Sequence, residues 1–316
     1  MNSKKPFEKK ALTYEQQLEL LKGKGLLIDL KDNDAKLLMQ HRNYYRLSAY
    51  WLDQYKDTEK IYFKKDFSMV KINARYEFDR KLRVLILEGL ERLEISLRAN
   101  LAYRLAHDSG NPHAHLDNQL FHEKYYYKIL ENIDREVKRA ERTELFIDYH
   151  LKTYSEKLPP IWVCCEVMSL GNLSQFYRTI KSIETKQAIS QIYSIIKYHT
   201  LESWLHCLTD LRNYCAHHSR VFNRSYPSSP KAIGQSPSNS DLERRIALNW
   251  NHDKESKIYN LLVIIFHLLE SIPLANESSK LIREHCLKHT NYFNEMGFPE
   301  NWSSLPFWST PSHKIT

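Results

Sequence analysis

Arg212 and His217 are separated by four residues in the stretch from Arg212 to Arg220, with Asn213 directly after the arginine and a second histidine, His218, after the first. Those two residue types suffice to cleave an RNA phosphodiester without a metal. A guanidinium is a permanently cationic planar fork that grips two non-bridging phosphate oxygens. An imidazole titrates near neutrality and can take the proton of an attacking 2′-hydroxyl or give one to the leaving oxygen. The spacing alone is short enough to have a second meaning, an arginine and a histidine satisfying the carbonyls and dipole at a helix end. On an ideal helix the two positions lie about 140° apart and about 7.5 Å along the axis. A shared cleft therefore requires the arginine to wrap, the helix to loosen near His217, or a second molecule to complete the site. Arg220 and Arg224 follow closely and are candidates to hold flanking phosphates.

The elements that must position these residues read as helices. With 7 glycines in 316 residues, the chain lacks the turns of a β-sandwich and the phosphate loops of a dinucleotide fold, so the class is all-α. Leu201, Leu205, Leu208 and Leu211 form the apolar stripe of a helix that Thr200 can cap and whose end presents Arg212 and His217. A long helix from about 68 to 106 carries Leu82, Ile86, Leu90, Leu93, Leu97 and Leu101 on one face. Glu94 and Arg98 lie on the rim of that face in the orientation that favours a helical ion pair, which either supports a cleft or is simply structural.

Thr13 and Gln16 make a capping box for an early helix closed by Gly23 and Gly25, and a second helix is expected from about Asn33 to Trp51. In that second helix Arg42 and Arg46 alternate with Tyr44, Tyr45 and Trp51, a pattern that serves either for stacking unpaired bases or for core packing. Pro159 and Pro160 set up a helix from 162 to 169 closed by Gly171. The Ser/Pro-rich stretch 225–240 is expected to be a mobile surface insertion, and the apolar run 258–269 a buried central helix. The expected organisation is an N-terminal helical region over 1–66 and a helical domain over 67–316.

Charge and cysteine usage narrow the setting. The formal charge of +8, from 46 Lys and Arg against 38 Asp and Glu, favours polyanionic partners. Five cysteines without a C-x-x-C pair argue against a disulfide framework or zinc ribbon and fit a reducing cytoplasm. His107, His113, His115 and His122 cluster in sequence but lack further ligands at diagnostic spacing, so no metal and no cofactor is expected. Residues 1–10 are basic with no apolar run behind them, unlike a signal peptide, and no apolar run spans a bilayer.

Several blocks, in order, carry a family resemblance. They are the segment from Arg212 through Asn223 to Arg224, His41 to Trp51, Tyr76 to Arg83 with Glu91, Glu94 and Arg98, Leu158 to Trp162 with Leu170 to Ser174, and Met296 to Trp302. Together they resemble the Abi-like (AbiD/AbiF) abortive-infection family of the HEPN superfamily of all-helical nucleases. The resemblance implies a HEPN-type helical bundle with an additional N-terminal helical region, acting in phage defence as a metal-independent endoribonuclease. It implies Arg212 and His217 as catalytic, Asn213 as their polar helper, and a homodimer that juxtaposes two motifs. The one near repeat, Arg104 and His107, has a two-residue gap and does not supply a second motif. It also leaves two other roles open: a non-cleaving RNA-binding protein that docks a small structured RNA, or the toxin of a toxin–antitoxin pair.

Overall fold

A computed structural model describes residues 6, 8, 10–234, 240–273 and 275–309. The basic residues 1–5 and the centre of the Ser/Pro-rich stretch, 235–239, lie outside the described residues. The architecture is all-α: 65% of the chain is helical, and the described residues contain isolated β-bridges but no strand. Two compact units divide at Lys81 and Leu82.

In the smaller unit, α1 (Tyr14–Gly23) opens on the expected capping box, with the Gln16 N–H donating to Thr13 Oγ1 and the Thr13 N–H to Gln16 Oε1. The single helix expected from Asn33 to Trp51 is instead two, α2 (Asp32–Arg42) and α3 (Tyr44–Ser48). Asn43 separates them at a φ of 60°, a state Asn tolerates better than most residues, and its carboxamide accepts the Tyr45 N–H to start α3. The break turns Leu47, Tyr50 and Trp51 into the core and leaves Tyr45 in solvent. Arg42 is bonded to Asn73 and Glu77 and lies 4.4 Å over the Tyr76 ring. Those last three residues belong to the opening turns of α4 (Met69–Ser109).

The larger unit begins within α4, where all six residues of the expected leucine and isoleucine stripe are buried. The helices α5 (Glu123–Ala140), α6 (Leu145–Thr153), α7 (Ile161–Val167), α8 (Leu170–Thr179), α9 (Ile183–Ile192) and α10 (Tyr198–Ala216) follow. The chain continues through α11 (Asp241–Asn249), α12 (Ile258–Glu270), α13 (Asn276–Leu287) and α14 (Phe293–Met296). As the apolar run requires, every residue of α12 from Ile258 to Leu269 is buried. Of its polar groups, Asn260 exchanges hydrogen bonds with the Asn251 backbone and His267 Nε2 lies 2.9 Å from the Tyr193 carbonyl, while His267 Nδ1 and the Tyr259 hydroxyl are buried without a partner among the described residues. The C-terminal segment packs Phe298, Leu305, Phe307 and Trp308 onto that core.

Two expectations about helix ends are corrected. Gly171 does not close α7 but sits in the first turn of α8, which Ser169 caps by accepting the Asn172 N–H. A Cβ at Gly171 would lie 3.2 Å from Thr209 Cγ2, so the residue's role is the close approach of α8 to α10. Thr200 is buried inside α10, which starts two residues earlier without a side-chain cap. Of the stretch expected to be a mobile insertion, residues 225–234 are tied to α10: Trp204 Nε1 donates to the Lys231 carbonyl, Ser228 Oγ to Asp210, and the Lys231 N–H to Ser203 Oγ. Ser240 then caps α11 in a capping box with Glu243.

Candidate functional site

Helix α10 buries Leu201, Trp204, Leu205, Leu208, Leu211 and Cys215, and this fixes which way Arg212 faces. One residue beyond Leu211, it falls on the margin of the buried face and is half-buried. There it meets α4. Arg212 lines a cleft of ≈ 370 Å³ whose other walls are Leu87, Leu90, Glu91, Glu94, Ile95 and Arg98. Residues more than a hundred positions apart in sequence thus share one site.

The two arginines of the cleft differ in their commitments. Arg98 Nη2 donates to Glu94 Oε1 at 2.6 Å and to the Met168 carbonyl at 2.9 Å, and Nη1 donates to the Glu166 carbonyl at 2.6 Å. It therefore acts as a side-chain cap for α7, filling carbonyls left without partners at that helix's end. Glu94, 13% exposed, is held by this pair. Arg212, by contrast, makes no hydrogen bond or ion pair among the described residues, so its guanidinium is available to an anion. Glu91, one turn before Glu94, is exposed in the same cleft and equally unengaged. In the sequence Glu91 carried only the family resemblance and no site role, although its spacing of three residues from Glu94 on one helix face was a usable signal.

The end of α10 is a tight turn. His217 is its C-terminal boundary residue, at φ −87° and ψ 14°, and its N–H donates to the Asn213 carbonyl. His218 follows at a left-handed φ of 56°, with its N–H on the Cys215 carbonyl and the Ser219 N–H on the Tyr214 carbonyl. This is a Schellman closure in which a histidine occupies the position usually held by glycine. The helix ends at His217, and Asn213, His217 and His218 are exposed there. None of the three is among the residues lining the Arg212 cleft.

The chain after the turn is anchored by buried Val221 and Phe222. Arg224 donates from Nε to the Arg220 carbonyl at 2.6 Å and lies 4.2 Å over the Tyr214 ring, which braces the turn. Arg220 is half-buried in the same segment. The structure therefore brings Glu94, Arg98 and Arg212 together in the cleft and groups Asn213, His217, His218, Arg220 and Arg224 at the adjoining helix end. Arg42 and Arg46 belong to the smaller unit, where Arg42 is committed to Asn73 and Glu77 and Arg46 is exposed.

The histidine-rich loop shows ordinary packing chemistry. His115 is buried, its Nε2 3.7 Å from Cys164 Sγ, and burial, with a small contribution from His113, lowers its pKa to about 4. Among the described residues no group of three or more His, Cys, Asp or Glu side chains could hold a metal ion. No helix among them is long and apolar enough to cross a membrane.

Comparison with protein families matches residues 37–223 to Abi-like protein, a span from α2 through α10 that ends in the braced turn after His218. The chain belongs to the Abi-like protein family. No curated protein matches it, and no solved structure does.

Proposed function

We propose that this chain is a HEPN-type, metal-independent endoribonuclease of phage defence. The observation that carries the reading is the uncommitted guanidinium of Arg212, facing an open cleft from the same helix end that exposes His217. Family membership supports the defence role. In this mechanism Arg212 binds the non-bridging oxygens of the scissile phosphate and neutralises the charge that grows there in the transition state. His217 moves the proton of the attacking 2′-hydroxyl or of the leaving 5′-oxygen, and the products are a 2′,3′-cyclic phosphate and a 5′-hydroxyl. Asn213 orients the phosphate or the imidazole, and His218 is the second choice for proton transfer. Arg220 and Arg224 contact flanking backbone.

Because His217 stands outside the lining of the Arg212 cleft, the two groups complete one site most simply across a symmetric dimer, each protomer bringing its exposed helix end to the other's cleft. The same observation favours the second reading, an RNA-binding protein that docks a small structured RNA without cutting it. A toxin held by a separate antitoxin is compatible with the first reading.

Cleavage of total cellular RNA by the purified protein, with and without EDTA, separates these readings. Wild type should cut in EDTA and leave cyclic or 3′-phosphate ends. Arg212→Ala and His217→Ala should each lose about 10²- to 10⁴-fold in rate. Tight RNA binding without cleavage would establish the second reading, and a double variant that cleaves at the wild-type rate would refute the site.

A further inference from the structure

The larger unit has a second concave site, built differently from the first. A cavity of ≈ 320 Å³ lies where the chain between α6 and α7 passes the loop before α5. Pro159 and Pro160 stiffen its wall, and the Ile161 N–H donates to the Pro112 carbonyl at 2.9 Å, stapling the two segments together. Two aromatic rings open onto it, Trp162 at 47% exposure and Tyr154 at 52%.

Three of its polar groups are unused. His150 Nδ1 is shielded from solvent and has no hydrogen-bond partner. Trp162 Nε1 and the Glu156 carboxylate make no hydrogen bond among the described residues. Stiff, half-exposed aromatic and proline walls with a small set of unsatisfied donors and acceptors suit a flat heterocycle: faces for stacking, an edge for hydrogen bonds. A carboxylate on the rim repels a phosphate and accepts from an exocyclic amino group.

Helix α7 links this cavity to the Arg212 cleft. Trp162 and Glu166 are four residues apart on one face, about 6 Å along the axis, and Glu166 is the residue whose carbonyl holds Arg98 in the cleft wall. We infer that the Trp162–Tyr154 cavity is a subsite for one unpaired, amino-bearing nucleobase of the RNA strand whose phosphate engages Arg212. The inference rests on the RNA reading above, and its occupant is adenine, cytosine or guanine in preference to uracil.

The test uses the full chain and 2′-O-methyl hexanucleotides, which cannot be cleaved by 2′-hydroxyl attack, with affinity read by fluorescence anisotropy. Trp162→Leu should weaken adenine and cytosine hexamers about 5- to 150-fold, the range of one lost stacking contact, while leaving an abasic hexamer and the salt dependence of binding unchanged. Tyr154→Ala should act in the same direction, and Glu156→Gln should narrow the preference for cytosine over uracil. Both aromatic positions are half-exposed, so a melting curve equal to wild type accompanies each result. If Arg212→Ala weakens binding but Trp162→Leu and Tyr154→Ala do not, the subsite is wrong and the RNA reading stands. If no hexamer binds wild type, both fail. Saturable binding of a proline-rich peptide at these residues, with no hexamer competing, would also overturn the inference.

Discussion

Replacing Arg98 by alanine should destabilise the larger unit, whereas replacing Arg212, its neighbour across the same cleft, should not. The difference follows from what each guanidinium holds. Arg98→Ala removes three charge-assisted hydrogen bonds and leaves the Glu94 carboxylate at 13% exposure without its partner, along with two carbonyls at the end of α7. Bonds of this kind contribute about 1.5–3 kcal/mol each when buried. The Arg98 side chain is 20% exposed, so water replaces part of the loss, and a net cost of about 2–4 kcal/mol is expected. For a unit of this size that is a fall in melting temperature of about 4–16 °C. Arg212→Ala breaks no bond among the described residues and should stay within about 0.5 kcal/mol of wild type. Thermal unfolding followed by circular dichroism, with RNA cleavage assayed well below the transition, reads both quantities on the same samples. The expected pattern is a stable but inactive Arg212→Ala and a destabilised Arg98→Ala, with Arg98→Lys between Arg98→Ala and wild type because an ammonium keeps the charge but not the fork. An Arg98→Ala protein that melts with wild type, or an Arg212→Ala protein that melts several degrees lower, would refute this division of roles.

Three further outcomes are expected. If Arg212 and His217 meet across protomers, the active species is a dimer by light scattering, activity falls on dilution, and mixing inactive Arg212→Ala with inactive His217→Ala subunits restores cleavage at one of two composite sites; an active monomer would sink that arrangement. Burial lowers the pKa of His267 and of His115 from 6.5 to about 4, so the unfolded chain takes up their protons first; stability should be full above about pH 6.5 and decline by about 1.4 kcal/mol per pH unit per histidine toward pH 4. Urea midpoints at pH 7 and pH 5 should differ less in His267→Gln than in wild type. Gly297→Ala should cost about 2–5 kcal/mol in urea unfolding, because the residue holds a left-handed φ of 87° and a Cβ there would lie 2.5 Å from Lys257 Cβ.

Local information written in the sequence determined much of this protein. The stripe on α4, the apolar α12 and the capping box at Thr13 follow from periodicity and side-chain chemistry within a few residues, and each stands as read. The Glu94–Arg98 pair did too, since residues four apart on a helix are neighbours whatever surrounds them. Where a local signal had a competitor, only packing chose between them. Asn43 can continue a helix or break it, and the burial of Tyr50 and Trp51 goes with the break. A glycine after α7 can end that helix or admit another, and the approach of Thr209 on α10 gives Gly171 the second role. The Ser/Pro-rich stretch offers no periodicity, yet the indole of Trp204 and the hydroxyls of Ser203 and Ser228 fasten its first half to α10. The cleft itself is a tertiary product. Periodicity reports which face of a helix is buried but not what it is buried against, so the meeting of Arg212 with Glu91, Glu94 and Arg98 depends on how α10 docks beside α4, a contact that no spacing along the chain encodes.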